Sequence, residues 1–270
     1  MFTIVKRGLV ILYAVAILLP ISIIILATFK STQELFQGPF SLPAAFSFEK
    51  YANILTDQSF GLYFMNSVIV TFLSVTITLL FASLTAFALS QINSWVSRGL
   101  FVFFIGGMMI PAQTIMLPLY DLVSSLNLTN SLLGLIVVNV ASSFPLAVLI
   151  LTVFTKTIPT SLFEAAKIDG ATSLQIYGRI FLPLSVTSLA SAGIFLSVIY
   201  WNDLLNPLLF ITEDAKKTLP LMLIDFQGEY LTNYPMLFAG VILSSIPMVI
   251  VYIFLQRYFI AGMTAGSVKS

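Results

Sequence analysis

Cysteine and histidine are both absent from the 270 residues. The first absence excludes disulfides, thiolate nucleophiles and iron–sulfur ligation. The second removes the commonest general base and the commonest zinc ligand. Charge is scarce as well. Asp, Glu, Lys and Arg make up 9% of the chain, against about 25% in a soluble domain. Their balance is +1, which offers nucleic acid no basic surface. No Gly-Lys dipeptide occurs, and so no Walker A loop. If ATP drives this protein, another chain binds it. No metal or catalytic constellation is expected.

Apolar residues fill the chain instead. They reach 59%, with a mean hydropathy of +1.03. Crossing a hydrocarbon core of roughly 30 Å takes about 20 helical residues. Six runs meet that length, near 9–29, 65–90, 99–120, 132–154, 184–211 and 237–260. The expected fold is therefore an all-α integral membrane protein, one transmembrane domain over 1–270. Lys6-Arg7 precedes the first run, which is too long for a signal-peptide core and reads as a retained anchor. With both termini in the cytoplasm, Lys and Arg divide eight inside to four outside. That is the bias the positive-inside rule requires.

One polar stretch interrupts the apolar pattern. It reads Ser161-Leu-Phe-Glu164-Ala165-Ala166-Lys167-Ile-Asp169-Gly170-Ala171, then Ile176-Tyr177-Gly-Arg179-Ile180-Phe-Leu182-Pro183. Ser161-x-x-Glu164 and Thr172-x-x-Gln175 both have the spacing of a capping box. Asp169-Gly170 supplies a turn between two short helices, since glycine accepts positive φ. The orientation count places this stretch in the cytoplasm.

The segment resembles the EAA motif of permease subunits in binding-protein-dependent ABC importers of the carbohydrate type, similar to the maltose-transporter permeases. Glu-Ala-Ala, Asp-Gly-Ala, Tyr177, Ile180 and Leu182-Pro183 carry the match. One departure is that Thr187 or Ser188 stands where the family has a second proline, which leaves the start of the next helix open. The resemblance implies a type I importer permease fold with a cytoplasmic coupling helix, in a bacterial or archaeal cytoplasmic membrane. It implies that Glu164, Ala165, Ala166, Asp169 and Gly170 meet an ATPase subunit. It also implies the partners: a second, homologous permease, two ATPase subunits that bind ATP and Mg, an external solute-binding protein, a carbohydrate substrate and membrane lipid. This chain would hold no cofactor of its own.

The C-terminal stretch Gln256-Arg257-Tyr258-Phe259-Ile260-Ala-Gly262-Met263-Thr264-Ala265-Gly266-Ser-Val-Lys269 also resembles sugar-type permeases. There Thr264, Ala265, Gly266 and Lys269 would lie against the ATPase pair; the alternative is a disordered basic terminus. Between the first two spans, Phe48, Tyr51 and Leu55 fall on one face of a short amphipathic helix. That face suits either the external binding protein or the lipid interface.

Inside the membrane, Pro111, Pro118, Pro145, Pro207 and Pro247 interrupt the last four spans. They are either packing kinks or breaks that line a polar path. Asp203, in Tyr200-Trp201-Asn202-Asp203-Leu-Leu-Asn206-Pro207, is an acid in an expected span. Asn139, Asn202, Asp203 and Asn206 are the candidates for a substrate path. Their alternative roles are interfacial anchoring and helix–helix hydrogen bonding. The competing function class is an ion-coupled secondary transporter of a small polar solute. That class calls for buried acids or histidines and for internal repeats; histidine is absent.

Overall fold

The computed structural model describes residues 2–92, 94–226 and 232–265, without the side chains of 2–4, 58 and 258–265. The architecture is all-α. The chain divides into two compact units, Met1–Phe64 with Leu219–Ile246 and Met65–Thr218 with Pro247–Ser270. Among the described residues, four helices are long and apolar enough to cross a membrane, and up to six spans result if each of two bent pairs counts as one.

The first unit begins with α1 (Phe2–Ala27), apolar along its length and containing Pro20. Its exposed side chains are almost all aliphatic, as a helix facing lipid or a partner requires. Then α2 (Thr32–Gln37) starts on a reciprocal capping box between Ser31 and Glu34. Lys30, just before it, is fully buried. Its ammonium donates to Gly38 O at 2.8 Å, Pro39 O at 3.2 Å and Ser41 Oγ at 3.2 Å. All three donor positions are used, which is how a buried lysine is tolerated. Next comes α3 (Glu49–Thr56). Of the three residues expected on its outer face, Phe48 and Leu55 lie there and Tyr51 turns inward. Tyr51 OH donates to Thr28 Oγ1 at 2.9 Å and Ile54 is buried, while Leu55 and Phe48 are exposed. Phe48 still meets the Phe29 ring, edge to face at 5.3 Å.

The second unit takes up the chain within α4 (Gln58–Gln91), a helix of 34 residues. It is followed by α5 (Trp95–Gly107) and α6 (Met116–Ser125), joined through a 3-10 turn at Ala112–Ile115. The expected single span over 99–120 is thus divided, with an 87° bend. Gly106-Gly107 are weak helix formers, and Pro111 disfavours helical backbone at Ile110. Continuous helix returns in α7 (Leu132–Thr155), which runs through Pro145. The polar stretch follows as α8 (Thr160–Ile168), α9 (Ser173–Ile176), a π turn at Tyr177–Phe181 and α10 (Leu182–Leu184). Then come α11 (Val186–Trp201) and α12 (Leu205–Phe210). The expected span over 184–211 is therefore shorter. It starts at Val186, 73° from the preceding helices, and stops at Trp201. The residues after it turn away to satisfy polar side chains, described below.

Small residues hold α4, α7 and α11 together. Ala82, Ala86, Ala147 and Ala192 are buried with Val148, Leu151 and Leu196. Such side chains let helix backbones approach closely in lipid. A Cβ added at Gly193 would sit 3.3 Å from Leu79 Cδ1. The chain closes with α13 (Leu219–Asp225) and α14 (Tyr234–Ala265), the latter continuous through Pro247. Thr264 and Ala265 are the last residues of that helix, not the start of a loose tail. Gly266 and Lys269 lie outside the described residues.

Candidate functional site: an anchored elbow and a polar cluster

The polar stretch forms an elbow with two distinct faces. Its inner face is aromatic. Phe163, Ile176, Tyr177 and Phe181 are buried with Phe87 of α4 and Ile158. Phe87 is the hub, with ring centroids 6.2 Å from Phe163, 5.5 Å from Tyr177 and 5.3 Å from Phe181. Ser83 Oγ and Tyr177 OH share a hydrogen bond of 2.8 Å. Each aromatic pair contributes about 0.5–1.5 kcal/mol beyond area burial. The elbow is therefore fastened to the end of α4 rather than hung from a loop.

Local chemistry shapes the two arms. At α9 the expected capping box forms: Gln175 N donates to Thr172 Oγ1 at 3.3 Å, and Thr172 N to Gln175 Oε1 at 2.8 Å. The expected box at Ser161 and Glu164 does not. Pro159 precedes the first helical residue, Thr160, so Ser161 already lies inside the first turn and caps nothing. Proline's fixed φ starts the helix there without a side-chain cap. The turn between the arms is as expected, with Gly170 at φ +79°. Pro183 has no N–H to donate one turn back, and the segment before it widens into the π turn.

The outer face is left open. Glu164, Ala165, Lys167, Asp169 and Gly170 are exposed, and Ala166 packs inward beside Phe163. Ile168 is 86% exposed and Leu174 74%. Two large aliphatic side chains beside charged ones, on a rigidly backed helix, make a surface that a partner would cover.

The candidates for the substrate path fall into two groups. Asn139, 3% exposed, accepts a bond from Asn206 Nδ2 at 3.4 Å on its side-chain oxygen. Asn206 Nδ2 also donates to Asp203 Oδ2 at 2.8 Å, and Asn206 N to Asp203 Oδ1 at 3.2 Å. Asp203 thus caps the start of α12, which explains why α11 ends early. Asn202 stands apart, exposed, with its amide turned back to Val198 O at 2.8 Å. Tyr200 extends the cluster: its hydroxyl donates to Asn139 O at 3.2 Å and meets Thr78 Oγ1 at 3.0 Å. With the tyrosine proton spent on the carbonyl, Thr78 is the donor of the second bond.

Thr78 belongs to a stripe that sequence reasoning missed. Ser67, Thr71, Ser74 and Thr78 repeat at helical spacing on α4, and all are buried. The hydroxyls of Thr71 and Ser74 have no partner among the described residues. Their 4-3-4 spacing is the signal in the sequence. Also missed was Asn130, in left-handed backbone at φ 52°. Its Oδ1 accepts from Thr212 N at 3.3 Å and Glu213 N at 3.0 Å, and its Nδ2 donates to Glu213 Oε2 at 3.2 Å. Asn66 Nδ2 likewise donates to Ala215 O at 3.0 Å and Lys217 O at 2.9 Å. The charges of this corner pair locally, Lys216 with Glu213 at 2.6 Å and Lys217 with Asp214 at 2.8 Å. The Lys216 ammonium, first through its hydrogen bond and then through its charge, holds the exposed Glu213 carboxyl below its ordinary range.

An aromatic-backed elbow between apolar spans, beside a buried polar stripe, suits a membrane permease subunit. Residues 78–265 match the family described as binding-protein-dependent transport system inner membrane component, and the chain belongs to that family. It is 34% identical over 259 residues to the probable ABC transporter permease protein YurM of Bacillus subtilis, covering 96% of this chain and 86% of that protein. It is 35% identical over 256 residues to the arabinooligosaccharides transport system permease protein AraQ of Halalkalibacterium halodurans, covering 93% and 90%. Among solved structures, a chain of a bacterial ABC transporter that imports the acidic polysaccharide alginate superposes with a TM-score of 0.83 at 24% identity, covering 96% of each chain. This likeness establishes the type I importer permease fold. Family membership sets aside the ion-coupled secondary transporter.

Proposed function

We propose that the chain is one permease subunit of an ATP-driven importer, and that it conducts a carbohydrate delivered by an external solute-binding protein. The substrate class is supported by the relative named for arabinooligosaccharides and by the alginate importer, together with the carbohydrate-type form of the EAA segment. The whole of 1–270 acts as a single permease domain in a bacterial cytoplasmic membrane, with both termini inside. A second, homologous permease and two ATPase subunits complete the assembly. ATP and Mg belong to those ATPases, and their hydrolysis supplies the driving force.

The two-faced elbow is the observation that carries this reading. Its outer face, Glu164, Ala165, Asp169 and Gly170 with Ile168 and Leu174, docks on an ATPase, and Ala166 lets α8 lie close against its own backing. Its inner face passes the movement to α4 through Phe87, and to α11 through the π turn. The end of α14, with Thr264, Ala265, Gly266 and Lys269, adds a second ATPase contact. The hydroxyl stripe of α4 and the cluster of Asn139, Asp203 and Asn206 line the sugar path; Asn202 stands at its rim.

Uptake and ATPase activity in reconstituted complexes test the coupling. Glu164 is exposed and caps nothing, so Glu164→Ala costs stability no more than about 0.5 kcal/mol. Proline cannot adopt the φ of +79° at position 170, so Gly170→Pro reshapes the docking turn alone. Both variants should assemble, yet lose uptake relative to ATP hydrolysed. Wild-type coupling in both would sink the proposal.

A further inference from the structure

A cavity of about 560 Å³ opens in the second unit between the α4–α5 turn, the end of α7 and α8. Arg98, Lys156 and Lys167 line it, against a single carboxylate, Glu164. Lys156 Nζ lies 5.4 Å above the centre of the Phe101 ring, which steadies the ammonium at the wall. Three of the lining hydroxyls spend their protons on backbone carbonyls: Ser97 on Leu89 O at 2.9 Å, Ser90 on Phe87 O at 2.7 Å, Thr155 on Leu151 O at 2.7 Å. Thr152 does not. It lines the same cavity at 5% exposure, and its hydroxyl has no partner among the described residues. A buried hydroxyl without a partner is costly, and a ligand would relieve that cost.

We infer that this cavity binds an anion bearing a phosphate group. Surplus positive charge from three elements and one unspent hydroxyl converge on it. A phosphate ester offers charge and several acceptor oxygens at once, where a carboxylate offers two oxygens. The volume is that of a small-molecule site and leaves room for a substituent on the phosphate. Two sources share this chemistry: the headgroup of an anionic phospholipid, and a soluble phosphate ester. That the cavity faces the cytoplasm rests on the proposed orientation; binding itself does not.

The test uses the whole importer complex, purified in neutral detergent and stripped of lipid. Binding of phosphatidylglycerol and phosphatidylcholine is compared, with glycerol 1-phosphate and inorganic phosphate as soluble probes. A lipid source gives binding of phosphatidylglycerol over phosphatidylcholine that glycerol 1-phosphate does not displace. A soluble source gives direct binding of glycerol 1-phosphate. In either case Lys156→Gln should weaken binding about tenfold, the loss of one charge-assisted bond, and Lys156→Arg should restore it. Thr152→Val should also weaken binding, while leaving the unliganded melting temperature unchanged or raised. A merely structural threonine would not separate those two readouts. No preference for phosphatidylglycerol together with no binding of either soluble probe overturns the inference. So does binding indifferent to both Lys156→Gln and Thr152→Val. Binding seen in the isolated chain but lost in the complex would assign the cavity to an ATPase side chain, and overturns it too. Uptake assays on Gly170→Pro, which lies outside the cavity lining, read the docking face separately, so the two proposals fail independently.

Discussion

The elbow over 160–185 and the corner over 203–217 connect the same helix, α11, to the rest of its unit, and they are held in opposite ways. The elbow is fixed by rings. Phe87, Phe163, Tyr177 and Phe181 bury its inner face, and its charged residues stay outside that packing. The corner is fixed by polar side chains reaching backbone: Asn130 to 212–213, Asn66 to 215 and 217, Asp203 to the start of α12. Ring packing is less directional than hydrogen bonding, so it can transmit a push while tolerating small rotations. A lattice of bonds to backbone N–H and C=O groups is directional and holds one geometry. On the proposed coupling, the end that moves is apolar inside, and the fixed end is polar.

Breaking the hub should have the largest effect. Phe87→Ala removes three ring contacts at once. A buried Phe→Ala typically costs about 3–5 kcal/mol. The expected result is a large fall in the melting temperature of the purified complex, with loss of uptake. Phe87→Leu should recover most of the stability but not all of the coupling. A silent Phe87→Ala would mean that the elbow is not fastened at α4.

The corner offers the middle-sized test. Asn130→Ala leaves two backbone N–H groups without their acceptor and strains a residue at φ 52°. A loss of about 1–3 kcal/mol follows, measured by thermal unfolding, with the ratio of uptake to ATP hydrolysed unchanged. Reduced coupling without reduced stability would erase the contrast between the two regions. Asp203→Asn sharpens the contrast further. The amide is nearly isosteric, but it brings a donor where Asn206 Nδ2 already donates. Uptake should change, while assembly persists. Normal uptake would leave Asp203 a cap for α12 and no more.

The smallest effect is one of pH. The Lys216 ammonium lowers the Glu213 carboxyl below its ordinary value. A carboxyl depressed in the folded state lends stability that is complete above its unfolded value. That stability is lost as pH falls through the folded one. Both groups are exposed, so the effect is screened. Unfolding followed below neutral pH should show a slight acid sensitivity that Glu213→Gln removes. The same acid sensitivity in the variant would assign it elsewhere.

What could be read beforehand follows the same division. The Thr172–Gln175 box and the Gly170 turn depend on residues a few positions apart, and both are visible as spacing. The Ser161–Glu164 box has the same spacing but lies two residues too late, because Pro159 had already started the helix. Hydropathy measures length and not direction, so the bends after Gly107 and at Ser185 were hidden within apolar runs. Asn139 and Asn206 were both singled out, yet their meeting was not, since 67 residues separate them. Asn130 reads in sequence as an ordinary turn residue. Its partners at 212 and 213 lie beyond two intervening spans.

The central claim is that the outer face of the elbow is the docking surface for an ATPase subunit. The chain has no cysteine, so a single Ile168→Cys variant gives one reporter at the most exposed large aliphatic side chain of that face. Labelling by a thiol-reactive maleimide is timed in membranes with and without the co-expressed ATPase. The account predicts rapid labelling of the chain alone and strong protection when the ATPase is present, with a short bifunctional reagent linking the two. Equal labelling rates in both membranes, and no cross-link, would contradict it.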